Sequence, residues 1–250
     1  MEIQGLAAII TGATGRLGEA IALGLAERGM DCVCHYHRNS QKAKAVVDQI
    51  TAMGRRAVAV QADLSRQGEV EHLFRTAKTF SKVRVLVNSA AVFERQPLAG
   101  LTAEILQQTL SVNVAAPMLT SRFFVDLLQA EGLDYEKSSE PFAKIVNLVD
   151  AAGLKPWAEY AAYCASKAGL IGLTKALAKE LAPGVTVNAV APGIITASEL
   201  MDADEEQKQL ARIPAGRFGQ PEEVVRAIVF LLENDYISGQ VLAVDGGRSI

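Results

Sequence analysis

Two patterns of apolar positions alternate along the chain. Residues 6–10, 31–36, 57–61, 83–88, 144–148, 185–190 and 241–244 are short runs dense in Val, Ile and Ala. Runs with so little polar alternation suit strands buried on both faces, as in a parallel sheet. Between them, residues 16–28, 41–53, 67–80, 103–130, 158–181 and 221–233 carry apolar side chains at helical spacing. Gly29 and Gly54 follow the first two of these stretches, where helix stops are expected. Seven strands alternating with helices predict an α/β fold, a doubly wound parallel sheet with helices on both faces. The competing architecture is a β/α barrel, which wants eight repeats. With no linker and no internal repeat, residues 1–250 read as one domain. Residues 131–141 form the single polar shift and read as an exposed loop insertion.

Composition narrows the class. Apolar residues make up 50% of the chain and charged residues 21%, which supports a sizeable core and excludes disorder as the main theme. Lys and Arg number 25 against 28 Asp and Glu, with the signs mixed, so gripping nucleic acid is excluded as the main task. Three cysteines, Cys32, Cys34 and Cys164, cannot frame a chain of this length with disulfides. Met1-Glu2-Ile3-Gln4 shows no basic-then-apolar leader, and no apolar run approaches the roughly 18 residues of a membrane span. A cytoplasmic protein is therefore expected.

The first strand leads into Thr11-Gly12-Ala13-Thr14-Gly15-Arg16-Leu17-Gly18 and then a helical pattern. Glycines there let the backbone approach a pyrophosphate, whose charge the helix N-terminus favours. A tightly packed turn without a ligand is the plainer alternative, and the position after a first strand favours the nucleotide. In NAD-binding units a carboxylate near the end of the second strand holds the ribose 2′-hydroxyl. Here that place reads His35-Tyr36-His37-Arg38-Asn39-Ser40, without a carboxylate. Arg38 can hold a 2′-phosphate in a fork geometry, with Arg16 as a second positive charge, so NADPH/NADP+ is expected rather than NADH. Cys32 and Cys34 would face away from His35 and His37 on a strand, so no metal site is expected.

Tyr163 and Lys167 lie four residues apart in a helical pattern, hence on one face. An ammonium beside a phenol would lower the phenol pKa from about 10 and suit it to acid–base work. Such a pair is common on surface helices and means nothing by itself. Asp150, just after an apolar strand and thirteen residues before Tyr163, adds weight, because strand ends of open α/β sheets face the ligand crevice. Asp150 as a simple turn or helix cap is the alternative. Asn113 breaks an apolar helical pattern, and periodicity alone favours a satisfied core amide there.

Taken together, these motifs resemble the short-chain dehydrogenase/reductase family. The resemblance rests on the Thr11–Gly18 loop, Ala62-Asp63-Leu64, Val87-Asn88-Ser89-Ala90, Asn113, Tyr163 with Lys167, Pro192-Gly193, and the tail from Gly239-Gln240-Val241 to Asp245-Gly246-Gly247. It covers essentially the whole chain and implies a Rossmann-type fold and a nicotinamide cofactor. It also implies catalytic roles for Asn113, Tyr163 and Lys167, with Asn113 holding a relay water. Along the cofactor it would place Gly12, Thr14, Arg16, Leu17 and Gly18, then His35, Tyr36, His37, Arg38, Asn39 and Ser40. Asp63 and Leu64 would lie at the adenine, Asn88 and Ala90 at the centre, and Pro192, Gly193 and Ile195 near the nicotinamide. The family threonine after Pro192-Gly193 has no clean match, Thr196 and Ser198 both being near. The family is also usually tetrameric, which implies a homotetramer, and residues 197–213 would form a lid.

The chain departs from that pattern in ways that point to one branch. Arg16 replaces the third glycine, Ser89 the second asparagine, and Asp150 the catalytic serine. These changes resemble the pteridine reductase branch, in which Phe93 would match the aromatic stacking on the pterin. An ordinary hydrophobic anchor is an equal reading of Phe93. The resemblance therefore implies an NADPH-dependent pteridine reductase acting on dihydropterin, dihydrofolate-like or oxidised pterin rings, with Asp150, Tyr163 and Lys167 delivering the proton. The alternatives are an NADPH-dependent carbonyl reductase of 3-oxoacyl thioesters and a non-catalytic NADP-binding regulator.

Overall fold

The computed structural model describes residues 1–80, 82–195 and 202–250. Seven strands, β1 (Ala7–Thr11), β2 (Asp31–Tyr36), β3 (Ala57–Gln61), β4 (Val83–Asn88), β5 (Ala143–Leu148), β6 (Val185–Pro192) and β7 (Val241–Val244), form one sheet in the order β3-β2-β1-β4-β5-β6-β7. Every pairing is parallel. The chain runs outward from β1 to β3 and then returns to the far side of β1 with β4. That reversal opens a crevice at the carboxyl ends of β1 and β4, where such sheets bind ligands.

The helices cover both faces because each strand offers alternate residues to each. Ala8 and Ile10 of β1 pack with Ile21 and Leu25 of α1 (Arg16–Glu27), Val46 and Ile50 of α2 (Ser40–Ala52), and Ile228 and Leu232 of α9 (Pro221–Glu233). Ala7 and Ile9 turn the other way, toward Leu73 and Phe74 of α3 (Gln67–Phe80) and Phe124 and Leu128 of α5 (Ala116–Ala130). Each such side chain, fully buried, contributes roughly 1.5–3 kcal/mol. Local signals set the ends. Asn39 Oδ1 accepts from Lys42 N at 2.9 Å to cap α2, and Gln220 and Glu223 form a capping box ahead of α9.

Three elements differ from the expectation. The stretch 103–130 is not one helix: α4 (Ala103–Leu110) passes into a π-helical turn, Ser111–Ala115, before α5. Pro117 has no N–H to return to the carbonyl four residues back, that of Asn113, so the α register changes there. A single turn, α6 (Ala151–Leu154), follows β5 where no helix is expected. The helix expected from residue 158 starts later, as α7 (Ala161–Glu180). Part of the expected lid is α8 (Ala203–Leu210), while Thr196, Ser198 and the remainder of residues 196–201 lie outside the described residues. Residues 131–141 carry no helix or strand, yet Gly184 N donates to Tyr135 O at 3.0 Å and anchors them. Among the described residues, no helix is long and apolar enough to cross a membrane.

Candidate active site

The loop between β1 and α1 is built on backbone that only glycine supplies. Gly12 has φ +68°, and a Cβ there would stand 2.8 Å from Ala90 Cα; a Cβ on Gly18 would overlap the Gly12 carbonyl. Thr11 Oγ1 accepts from Ser89 N at 2.9 Å and Ala90 N at 3.1 Å, tying the ends of β1 and β4 together. His35 lies beneath this loop, buried. Its Nδ1 accepts from Gly12 N at 3.0 Å, and its Nε2 lies 2.9 Å from Ala62 O. Those partners select the neutral tautomer with the proton on Nε2, and burial pulls its pKa down to about 4. Expected to touch the cofactor, His35 instead shapes the loop: both ring nitrogens are taken by backbone.

Beyond His35 the chain turns outward. Tyr36 is half-buried, and His37, Arg38, Asn39 and Ser40 are exposed; among the described residues Arg38 makes no ion pair. Arg16 Nη1 donates to Ile195 O at 3.1 Å, so that arm of its fork reaches across to the chain just after β6. Asp63 accepts from Ser65 N and Oγ at 3.0 and 2.7 Å, and its carboxyl sits below the ordinary value mainly through the serine hydroxyl. Leu64 is buried beside it. Asn88 is a brace: Nδ2 donates to Asn147 Oδ1 at 2.9 Å, and Oδ1 accepts from Thr120 Oγ1 at 2.7 Å. Gly193 is required because a Cβ there would lie 2.7 Å from Asp245 Cα. Among the described residues no group of His, Cys, Asp or Glu could hold a metal ion.

The acid–base groups converge across β5, α6 and α7. Asp150 is both cap and candidate acid. Its Oδ1 accepts from Ala152 N at 2.7 Å, starting α6, while its Oδ2 accepts from Tyr163 Oη at 2.8 Å. Lys167 is buried, donates to Leu148 O at 2.8 Å, and lies 5.7 Å from the Tyr163 ring centroid. Asn113 sits in the π turn with its amide fully used. Nδ2 donates to Val92 O at 2.9 Å and Ser166 Oγ at 3.0 Å, and Oδ1 accepts from Val92 N at 2.8 Å. Ser166 Oγ in turn donates to Tyr163 O at 2.7 Å. The side chain of Asn113 is thus a satisfied clamp, as periodicity favours, with no donor left over for a water.

Electrostatics overturn one expectation. Burial, then the Asp150 charge and its hydrogen bond, push the Tyr163 phenol up, not down. The reason is geometric: the phenol gives its proton to a carboxylate, and the ammonium that would lower its pKa is bonded to the Leu148 carbonyl. Burial also raises the Asp150 carboxyl and pulls Lys167 down to about 8. Three ionisable groups here share a dry setting in which every charge is costly.

Phe93 is 56% exposed at the rim. Its ring stacks on Tyr160 at 5.3 Å between centroids and meets the Tyr163 ring edge-on at 4.8 Å. Trp157 packs edge-on against Tyr160 at 5.7 Å, extending this aromatic wall. Sequence reasoning missed Ser166, Tyr160 and Trp157. The one available signal was closeness in sequence to Tyr163, with Trp157 and Tyr160 just before α7 and Ser166 within it.

A Gly-rich phosphate cradle at a topological switch point, opening beside a buried Tyr and Lys, defines an α/β oxidoreductase of the nicotinamide type. Residues 12–249 match the family model described as enoyl-(acyl carrier protein) reductase. The chain belongs to the short-chain dehydrogenase/reductase family. A 3-oxoacyl-[acyl-carrier-protein] reductase from Synechocystis is 40% identical over 245 residues, covering 96% of this chain and 95% of its own. Carbonyl reductase family member 4 of Danio rerio is 36% identical over 245 residues, covering 97% and 98%. Among solved structures, FolM alternative dihydrofolate reductase 1 from Brucella canis, complexed with NADP, superposes with a TM-score of 0.87 at 29% identity, covering 99% of this chain and 95% of its own. A short-chain dehydrogenase from Burkholderia cenocepacia, also in complex with NADP, gives 0.88 at 32% identity, covering all of both chains.

Proposed function

We propose that the chain is an NADPH-dependent pteridine reductase. The observation carrying this reading is the 2.8 Å hydrogen bond from the Tyr163 phenol to Asp150, a carboxyl whose pKa is raised by burial. A serine at that place could polarise a ketone but is a poor proton donor; a carboxyl whose pKa is raised by burial is a better proton source for a ring nitrogen. Reducing a pterin C=N needs one hydride at carbon and one proton at nitrogen. NADPH, when bound, supplies the hydride. The protein's part is to deliver that proton from the hydrogen-bonded Tyr163–Asp150 pair, with the buried Lys167 ammonium balancing the charge left on the pair.

The residues present suit that cofactor. The close backbone packing that Gly12 and Gly18 allow shapes a tight turn, with Thr14, Arg16 and Leu17 around it at the start of α1, which suits a pyrophosphate. Exposed Arg38, with His37, Asn39 and Ser40 beside it, suits the 2′-phosphate, and Tyr36, Asp63, Leu64 and Ala90 would flank the adenosine. Pro192, Gly193 and Ile195 would border the nicotinamide, and His35 and Asn88 support the frame. Phe93 would cover the flat face of the pterin, a stack contributing about 0.5–1.5 kcal/mol beyond burial. Neighbours solved with NADP support the cofactor.

The 40% identical 3-oxoacyl reductase favours a second reading, reduction of a 3-oxoacyl thioester. Against it stands Asp150, whose carboxylate form would oppose a developing alkoxide. NADPH oxidation at 340 nm with dihydrobiopterin, dihydrofolate and acetoacetyl thioesters separates the two. The pterin reading expects turnover of a dihydropterin, at least about a hundredfold slower in Asp150→Ser, as for loss of a general acid. Thioester turnover that improves in Asp150→Ser rejects it. The homotetramer belongs to this reading as well, supported by an exposed strip of small residues along α7: Ala165, Ala168, Gly169, Gly172 and Ala176. Buried, unpaired cysteines are compatible with a reducing cytoplasm.

A further inference from the structure

The C-terminal tail carries an arginine that the reaction above does not use. Asp245 folds the tail back on itself: its Oδ1 accepts from Gly247 N at 2.9 Å and its Oδ2 from Ser249 N at 2.8 Å. This places Arg248 with its guanidinium carbon 5.4 Å from the Trp157 ring centroid. Nη2 donates to Gln209 Oε1 of α8 at 2.6 Å. Nε and Nη1 are enclosed, yet neither has a hydrogen-bond partner among the described residues. Among the described residues no carboxylate forms an ion pair with this group. Burial and the like charge of Arg212 both work against its protonated form, while the Asp150 and Asp245 charges reach it only at a distance.

An arginine so placed has donors to offer an anion. Enclosed guanidinium donors are costly when left unmade, and the planar fork suits a carboxylate or phosphate with two parallel bonds. Gln209 is a neutral acceptor holding one arm of that fork. From Arg248 the wall runs through Trp157, Tyr160 and Phe93 to the Tyr163 ring, each step between 4.8 and 5.7 Å. A ring seated at Phe93 and Tyr163 would therefore extend an arm along the aromatics toward a waiting cation.

We propose that Arg248 is a specificity-determining residue that takes the anionic end of the substrate's arm, a carboxylate displacing the Gln209 amide, so that the preferred substrate is an acidic, folate-like pterin rather than a neutral one. This deepens the pteridine reductase reading and rests on it for the seat of the ring. The test measures binding to the NADP+ complex by calorimetry, so it does not depend on turnover. One ligand pair is folate, whose arm ends in carboxylates, and biopterin, whose arm is neutral. The second pair is acetoacetyl-coenzyme A and acetoacetyl-N-acetylcysteamine, which carry phosphates and none.

Arg248→Met is expected to weaken folate at least tenfold and to leave biopterin unchanged, the neutral ligand serving as the folding control. Arg248→Lys should restore part of the loss. With dihydrofolate as substrate, KM should rise while kcat holds, a split that a merely structural residue would not produce. Equal wild-type affinity for folate and biopterin, or a preference for folate that survives in Arg248→Met, overturns the proposal. Anion preference confined to the thioester pair overturns the carboxylate arm and points to a phosphate. Failure of the pterin reading shows separately, as turnover of thioesters alone.

Discussion

The two ends of the crevice solve different problems by different means. At the glycine-rich end, where the cofactor is proposed to sit, the groups on offer are backbone and exposed cations, and the ordered chemistry lies underneath, in His35 holding Gly12. At the catalytic end the reactive side chains themselves are buried and bonded to one another, Tyr163 to Asp150 and Lys167 to a strand carbonyl. The first arrangement tunes shape and leaves charge in solvent; the second tunes acidity by withholding solvent. Substitutions at the two ends should therefore fail in different observables.

The largest effect is expected at the catalytic end. Tyr163→Phe removes the only hydroxyl bonded to Asp150 among the described residues, and turnover should fall by about 10²–10⁴-fold, as for loss of a general acid. NADPH affinity measured by fluorescence titration should stay within a few-fold; a parallel loss of both would mean that the two ends are not separable.

Next comes the support beneath the cradle. His35 is held neutral with a folded pKa of about 4 against an ordinary 6.5, so the unfolded chain takes up its proton first as pH falls. Its contribution is complete above pH 6.5, declines between pH 6.5 and 4, and is lost below, with a span of roughly 3 kcal/mol. Thermal unfolding of the wild type from pH 7 to 4 should show that slope, and His35→Gln should flatten it. An unchanged slope in the variant would place the sensitivity elsewhere.

The smallest effect is expected at the exposed cation. Arg38→Ala should raise the KM for NADPH by about tenfold, the weight of one solvent-screened charge-assisted contact, and leave the KM for NADH unchanged. Equal losses for the two cofactors would remove Arg38 from the 2′-phosphate.

Much of this contrast was legible from residues, and the reason it was legible is local. The parallel strands announce themselves as unbroken apolar runs because both faces are covered, and β2, β3, β4 and β7 begin and end where those runs do. The cradle was legible because glycine has few other reasons to recur there. What escaped depends on partners distant in sequence. Nothing in the spacing of Tyr163 and Lys167 says that the phenol bonds Asp150 instead of the ammonium. The turn of α6 is too short to show a period, and the π turn is signalled only by Pro117. Nothing in the sequence marks Arg248; only the fold sets it against Trp157.

The Asn113 amide grips the Val92 backbone through both its N–H and its C=O, much as a neighbouring strand would. Phe93 is the next residue, and Ser166 carries the same clamp to the backbone of Tyr163. On the proposed reading, ring recognition and proton delivery therefore hang from one hinge pin. Variants selected for a bulkier or smaller heterocycle at Phe93 will drift in their acid–base profile too, unless the change leaves that pin in place.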